Sequence, residues 1–350
     1  MTDQSFQISG RWIGPEHPPY VIGELSGNHN GDIGRALAIV EAIREAGADA
    51  VKLQSYTADT ITLDHDGPGF LVEGGLWAGQ RLYDLYAEAH TPWDWHEQLF
   101  SKADELGLTI FSSPFDKSAI EMLEALGCPA YKIASFEAAD TALVRDAAST
   151  GKPLIISTGM VNEQEIQRTL DVARSAGASG VALLHCVSAY PAEPRDSNLL
   201  SIPVLGERFE AIAGLSDHTL GNAVSIASVA LGACVIEKHI TLSRAEGGVD
   251  AAFSLEPDEL AALVMDCHIA WQARGQEAVG IQSAATPNTV FKRSLYAVKD
   301  IAAGETLSPN NVRSIRPSLG LSPDQIDRVM GRKAIDHIRR GAPLNWDMIE

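Results

Sequence analysis

Residues 211–239 read AIAGLSDHTLGNAVSIASVALGACVIEKH. Two apolar runs, Ala211–Gly214 and Ala233–Glu237, flank one helix-length segment. A histidine stands just past each run, His218 after the first and His239 after the second. A strand, a helix and a second strand of these lengths make a βαβ unit, whose two strands are parallel. Adjacent in a parallel barrel, their ends would bring both imidazoles to one mouth. Imidazole is a good ligand for a divalent metal, and a strand end is a stiff place to mount it. Spacing alone leaves a second reading open, in which these are two unrelated loop histidines.

Working outward, the same texture repeats. Strand candidates precede it at Tyr20–Leu25, Ala50–Gln54, Leu108–Ser112, Ala130–Ile133, Pro153–Ser157 and Val181–His185. Amphipathic segments such as Gly34–Ala46 and Asn162–Ala176 lie between them. About eight βα units of this length predict a (β/α)8 TIM barrel. A doubly wound open sheet is the alternative, and it is disfavoured because no glycine-rich fingerprint follows the first strand.

Composition narrows the function classes. The chain has 350 residues, enough for one large domain and a small one, and 45% are hydrophobic. No apolar run approaches a membrane span, and Met1-Thr2-Asp3-Gln4 is not the basic-then-apolar start of a secretory signal. Cys128, Cys186, Cys234 and Cys267 form no CxxC pair and read as buried thiols of a reducing, cytoplasmic compartment. With 27 Lys and Arg against 46 Asp and Glu, the net charge of −19 argues against nucleic acid or an anionic membrane as partner. A local cluster of lysines can still reverse the field inside a cleft and admit a small anion.

The βα pattern breaks between Phe70 and His96. Trp77, Tyr83, Tyr86, Trp93 and Trp95 are more aromatics than a plain connection needs. An insertion after the second strand would lie at the catalytic mouth and line a pocket, although Leu82, Leu85 and Tyr86 have helical spacing and suit a helix packed on the wall. After Val279 the chain turns polar. The domains expected are a barrel over 1–281, a linker over 282–290 and a small β-rich domain over 291–350. From Phe291 onward ten basic residues face seven acidic ones, about +3 for the segment. A basic small domain tethered to an acidic large one should dock on it, in its own chain or in a partner's.

In such a barrel the strand C-termini carry the chemistry. Reading them in order gives Glu24, Ser26, Asn28 and His29; Lys52 and Gln54; Ser112, Ser113 and Phe115; Lys132, Ser135 and Glu137; Ser157 and Thr158; Ser188 and Tyr190; Ser216, Asp217 and His218; Glu237, Lys238 and His239. Asp250 and Ser254 follow in the last loop. Polar groups this dense are costly to bury without a polar ligand. Lysines with several hydroxyls suit a phosphate and a carboxylate together. Either Lys52 or Lys132 could instead snorkel, and Lys132 could form a Schiff base. Glu24, Glu137 and Glu237 are acid/base candidates or ion-pair partners of those lysines.

These residues closely resemble the sialic acid synthase family. The matching stretches are ELSGNHNG from Glu24, AGADAVKLQ from Ala46, YKIASFE from Tyr131, STGM from Ser157, LSDH from Leu215 and IEKH from Ile236. The tail, RSLYAVKDIAAGE followed by IRPSLGL, resembles the antifreeze-protein-like (SAF) domain that ends these enzymes. Other branches of the family usually carry a different insertion after the second strand, a Gly where Phe136 stands and an Asn where Ser188 stands. Those departures bear on the sugar-contacting shell, not on the reaction.

The resemblance implies condensation of phosphoenolpyruvate with the open-chain aldehyde of an N-acetylated amino sugar, with loss of phosphate. It implies a divalent cofactor, Mn²⁺ or Mg²⁺, held by His218 and His239. Lys52, Lys132, Ser135, Ser157, Ser188 and Ser216 match phosphoenolpyruvate-binding positions. Gln54, Glu137, Tyr190 and Asp250 match amino-sugar positions, and Glu24 the acid/base or metal-water partner. Arg316 matches an arginine that the small domain supplies, in the family from the other subunit of a homodimer. A Schiff-base aldolase using Lys132 is the mechanistic rival, and a non-catalytic sugar sensor the rival of another class.

Overall fold

The computed structural model describes residues 5–275 and 279–350. Met1-Thr2-Asp3-Gln4, read above as no secretory start, lies outside the described residues, as do 276–278 within the expected barrel span. The chain divides into two compact units, Met1–Gly275 and Gln276–Glu350.

The first unit opens with a hairpin, β1 (Phe6–Ile8) and β2 (Arg11–Ile13). Eight strands follow: β3 (Tyr20–Glu24), β4 (Ala50–Ser55), β5 (Thr109–Pro114), β6 (Tyr131–Ile133), β7 (Leu154–Ser157), β8 (Val181–Cys186), β9 (Ile212–Asp217) and β10 (Val235–His239). They pair in parallel and close β10 onto β3, which is the TIM barrel expected. The β1–β2 hairpin plugs the N-terminal end. Arg11 bonds Asp49, just before β4, and Phe6 packs so tightly on Gly180, just before β8, that a Cβ there would stand 2.4 Å from the ring.

Local chemistry explains the helices. Asn162 caps Glu163–Ala176, its side chain accepting from the Gln164 and Glu165 amides while Glu165 reaches back in a capping box. Gly177, at φ 107°, ends that helix in the left-handed region. Ile166, Leu170 and Ala173 recur at helical spacing and bury one face. The Ile33–Glu45 helix likewise starts at an Asp32 cap.

Three details differ from the sequence expectation. β9 runs three residues beyond Gly214, so Ser216 and Asp217 lie within the strand. Their polarity hid it, because each finds a buried partner across the sheet, Glu237 for Ser216 and Lys238 for Asp217. Gly214 itself is demanded by close approach, since a Cβ would stand 2.5 Å from the Val235 carbonyl. The insertion after β4 is mixed, with helices Ala58–Ile61 and Leu82–Ala89 and a 3₁₀ turn at Trp93–Trp95. The stretch read as linker carries 3₁₀ turns over Ser283–Phe291.

The second unit contains an antiparallel pair, β11 (Ser294–Ala297) and β12 (Val312–Ile315). Its own core gathers Leu295, Ile301, Leu307, Val329, Ile338 and Leu344. All four cysteines are free and buried. Among the described residues, no helix is long and apolar enough to cross a membrane.

Candidate active site

The C-terminal ends of the barrel strands surround a cavity of about 510 Å³. Its floor is ionic. Lys52 and Glu24 face each other in register on β4 and β3, with Nζ 2.6 Å from Oε2. The same ammonium is 3.0 Å from Glu237 Oε1 on β10, and Lys132 Nζ on β6 lies 3.5 Å from that oxygen. Ser216 donates to Glu237 at 3.1 Å, and Gln54 donates to Glu24 Oε1 at 2.6 Å. All four charged side chains are buried.

Electrostatics separates their roles. Burial pushes the Glu24 carboxyl up, but His239 and Lys52 more than reverse it and hold Glu24 well below the usual carboxylate range. Burial disfavours charge on Lys52, yet Glu237 and Glu24 outweigh it and raise its pKa. For Lys132 burial wins, the nearby Glu237 compensates only in part, and its pKa is lowered. Its nearest acceptor beyond that carboxylate is the Ile133 carbonyl, at 3.3 Å. Glu237 Oε2 and Ser157 Oγ are buried with no hydrogen-bond partner among the described residues. Unspent hydrogen-bonding capacity of this kind needs a polar ligand.

A hydroxyl cradle adjoins the lysines. A Cβ on Gly159 would stand 2.7 Å from Ser188 Oγ and 3.1 Å from Ser135 Oγ. The backbone there is thus open to the two hydroxyls, and the Gly159 amide donates to Ser135 at 3.3 Å. Ser135, Ser157 and Ser216 line the cavity, whereas Ser188 stands behind it beside Cys186, at 3.8 Å.

The two imidazoles are neighbours, their ring centroids 5.4 Å apart. His218 is anchored through Nδ1, 3.0 Å from the Val187 carbonyl, which leaves Nε2 as the lone-pair nitrogen in the tautomer that donates there. His239 Nε2 lies 3.3 Å from Glu24 Oε2. His239 Nδ1 is buried and has no hydrogen-bond partner among the described residues, with Asp250 Oδ2 3.7 Å away. An orphaned imidazole nitrogen beside a second imidazole and two carboxylates fits a divalent ion. Among the described residues no set of three His, Cys, Asp or Glu side chains is gathered tightly enough to hold a metal by itself. Two protein ligands suit Mn²⁺ or Mg²⁺, which retain water or take oxygens from substrate.

The opposite wall is apolar and comes largely from the insertion. Val72, Trp77, Leu82, Leu85 and Tyr86 line it, with Ile61, Phe115 and Phe136. Trp77 Nε1 donates to the Val249 carbonyl at 3.0 Å and its ring stands 5.3 Å from Tyr190, which is 4.4 Å from His218. Glu137 faces this wall with Oε2 buried and unpartnered among the described residues, and burial pushes its pKa up to about 7.

Of the residues read from the sequence, Glu24, Lys52, Gln54, Lys132, Ser135, Glu137, Ser157, Tyr190, Ser216, His218, His239 and Asp250 line this one cavity. Others do not. Asp217 and Lys238 point to the outer face of the barrel wall, because side chains alternate along a strand. The Asn28 amide nitrogen donates to the Ile240 carbonyl and Ser254, and His29 packs edge-on against Trp95. Arg316 belongs to the second unit, directly after β12. Sequence reasoning missed Tyr56 and Cys186 as lining residues. Tyr56 lies two residues past Gln54 and so on the same face, a signal that period-two counting offers. Cys186 was read only as a buried thiol, although it ends β8.

Residues 39–279 match the model of the NeuB family and residues 292–350 that of the SAF domain. The chain is 43% identical to a pseudaminic acid synthase of Helicobacter pylori over 95% of its length and 98% of that protein's. It is 44% identical to a pseudaminic acid synthase of Campylobacter jejuni, covering 93% and 95% of the two chains. An N,N'-diacetyllegionaminic acid synthase of Legionella pneumophila is more distant, at 32% identity over 95% and 94%. Among solved structures, an N-acetylneuraminic acid synthetase of Leptospira borgpetersenii superposes with a TM-score of 0.73 at 29% identity, over 81% of this chain and 95% of that one.

Proposed function

The chain belongs to the NeuB family, and on that premise we propose that it makes pseudaminic acid from phosphoenolpyruvate and 2,4-diacetamido-2,4,6-trideoxy-altrose. The methylene carbon of phosphoenolpyruvate bonds to the sugar aldehyde carbon, water adds to C2, and the C–O bond to phosphate breaks. The products are a nine-carbon 2-keto acid and inorganic phosphate. One observation carries this reading: Lys52, Lys132 and the unpartnered Ser157 hydroxyl share a cavity with the paired imidazoles and an apolar wall.

The chain's own groups suit each part. Lys52 and Lys132 neutralise the phosphate and carboxylate, while Ser135, Ser157 and Ser216 supply hydroxyl donors around them. Glu24, kept ionised, orients the attacking water and passes its proton on rather than retaining it. Gln54, Glu137, Tyr190 and Asp250 hold the sugar. The apolar wall accepts its deoxy carbon and acetamido methyls, where a hydroxyl would lose its hydrogen bonds to water. A Mn²⁺ or Mg²⁺ ion held by His218 and His239 would polarise the aldehyde oxygen when bound. Arg316 would complete the sugar site from the second subunit of a homodimer. The buried free thiols support a cytoplasmic enzyme.

The test is phosphate release with phosphoenolpyruvate, Mn²⁺ and a panel of amino sugars. Turnover with the diacetamido altrose far above the others supports the reading. Preference for N-acetylmannosamine or for the diacetamido mannose isomer would reassign the chain to N-acetylneuraminate or legionaminate synthesis. A borohydride-trapped pyruvyl adduct on Lys132 would replace condensation by aldolase chemistry.

A further inference from the structure

We propose that Asp217 and Lys238 are positioning residues that set the spacing and ring orientation of His218 and His239. Each precedes one of the two imidazoles in the chain. At the end of β9, Ser216 and the next residue beyond the strand, His218, face the cavity and Asp217 faces outward; on β10, Glu237 and His239 face the cavity and Lys238 outward. The two outward residues are register partners, and Lys238 Nζ lies 2.8 Å from Asp217 Oδ2 with both side chains buried.

The pair is more than a strand-to-strand clasp. Lys238 Nζ also donates to the Thr219 carbonyl at 2.5 Å, so one ammonium holds the residues on either side of His218. Asp217 Oδ1 accepts from the Thr219 amide and hydroxyl, each at 2.8 Å, and Oδ2 accepts from Ser225 at 2.6 Å. Ser225 belongs to the Ala223–Ala230 helix that covers the pair. The His218 carbonyl is in turn taken by the Ala192 amide at 3.0 Å. The backbone that carries the His218 ring is therefore fixed to the strand that carries the His239 ring, through a fully bonded polar network. Buried ion pairs are better at imposing one geometry than at adding stability, and that is the use this placement makes of one. Partners bonded directly to metal ligands tune metal affinity by about 10- to 100-fold, and this pair acts on the same rings through the backbone that carries them.

The inference rests on the proposed metal role of the two imidazoles, so the test has one arm with metal and one without. The full-length double variant Asp217→Asn/Lys238→Met removes both charges and strands neither. In metal-free protein, long-range ¹H–¹⁵N spectra report tautomer and environment of the two rings; both sets of signals should move. Mn²⁺ titration followed by electron paramagnetic resonance should show binding weakened about 10- to 100-fold, with phosphoenolpyruvate affinity within about twofold of the parent's. Unchanged ring signals and unchanged Mn²⁺ affinity in the folded double variant overturn the proposal. If that variant does not fold, Lys238→Arg decides: it keeps the charge but alters reach, and unchanged ring signals and Mn²⁺ affinity count against positioning while a shift in both supports it. Should His218→Ala bind Mn²⁺ as the parent does, the metal reading falls, and the metal-free spectra alone decide the role of the pair.

Discussion

Lys52 and Glu24 stand opposite each other on adjacent barrel strands, 2.6 Å apart, and Lys52 also reaches Glu237 at 3.0 Å. One ammonium thus pairs with two buried carboxylates. Lys52→Met takes the lysine from Glu24 and leaves Glu237 only the more distant Lys132, at 3.5 Å; breaking a buried pair in this way costs about 3–5 kcal/mol. The expected outcome is a clear fall in melting temperature together with loss of measurable phosphate release. A Lys52→Met protein as stable as the parent would show that the carboxylates find other partners.

His218→Ala and His239→Ala should each abolish metal-dependent turnover with the fold intact. Both rings line a cavity rather than the main core, so circular dichroism should be unchanged. Activity is measured after chelation and readdition of Mn²⁺. Full turnover by chelated variant protein would remove the metal from the reaction.

Arg316→Ala should weaken the amino sugar more than phosphoenolpyruvate. A guanidinium suits an acetamido oxygen, whereas in the proposed function the phosphate and carboxylate are assigned to Lys52, Lys132 and the serines. The two Michaelis constants are compared at saturating co-substrate. Equal increases in both would take Arg316 out of the sugar site.

Much of this was legible from the strand pattern. β10 ends on His239, where the apolar run gives way, and β3, β4 and β6 bring Glu24, Lys52 and Lys132 together as the barrel requires. Facing direction was the harder matter. Lys238 and Asp217 read as mouth residues because a list of strand ends ignores the alternation that turns every second side chain outward. The strand character of Ser216 and Asp217 was hidden for a related reason: their polarity is satisfied by residues of the next strand, which local sequence does not display. The aromatics of the insertion announced a pocket wall, but only the fold shows Trp77 reaching the Val249 carbonyl, 172 positions away.

Glu137 should give the reaction a pH dependence. Burial pushes its pKa up from 4.5 to about 7, so the carboxyl is neutral below that value and can donate to an acetamido oxygen. Above it the carboxylate repels that oxygen, and kcat/KM for the sugar should fall as pH rises through about 7. The stability term has the same sign. A raised carboxyl pKa favours the folded state fully below the unfolded value near 4.5, and the contribution fades as pH climbs to about 7. Glu137→Gln should remove this limb of the profile. A limb that persists in Glu137→Gln belongs to another group.

Trp77 joins the insertion to the loop after β10. Its indole donates to the Val249 carbonyl, and its ring leans on Tyr190, itself against His218. Trp77→Ala removes the apolar surface and the tie together, and should raise the Michaelis constant for the sugar about tenfold, equivalent to about 1.4 kcal/mol. Trp77→Phe keeps a ring without the donor and should fall between the two. The constant for phosphoenolpyruvate should hold, because Lys52, Lys132 and the serines lie on the barrel strands and their connections rather than on the insertion. If phosphoenolpyruvate weakens as much as the sugar, Trp77 shapes the whole mouth and the division of the cavity into an ionic floor and a sugar wall fails.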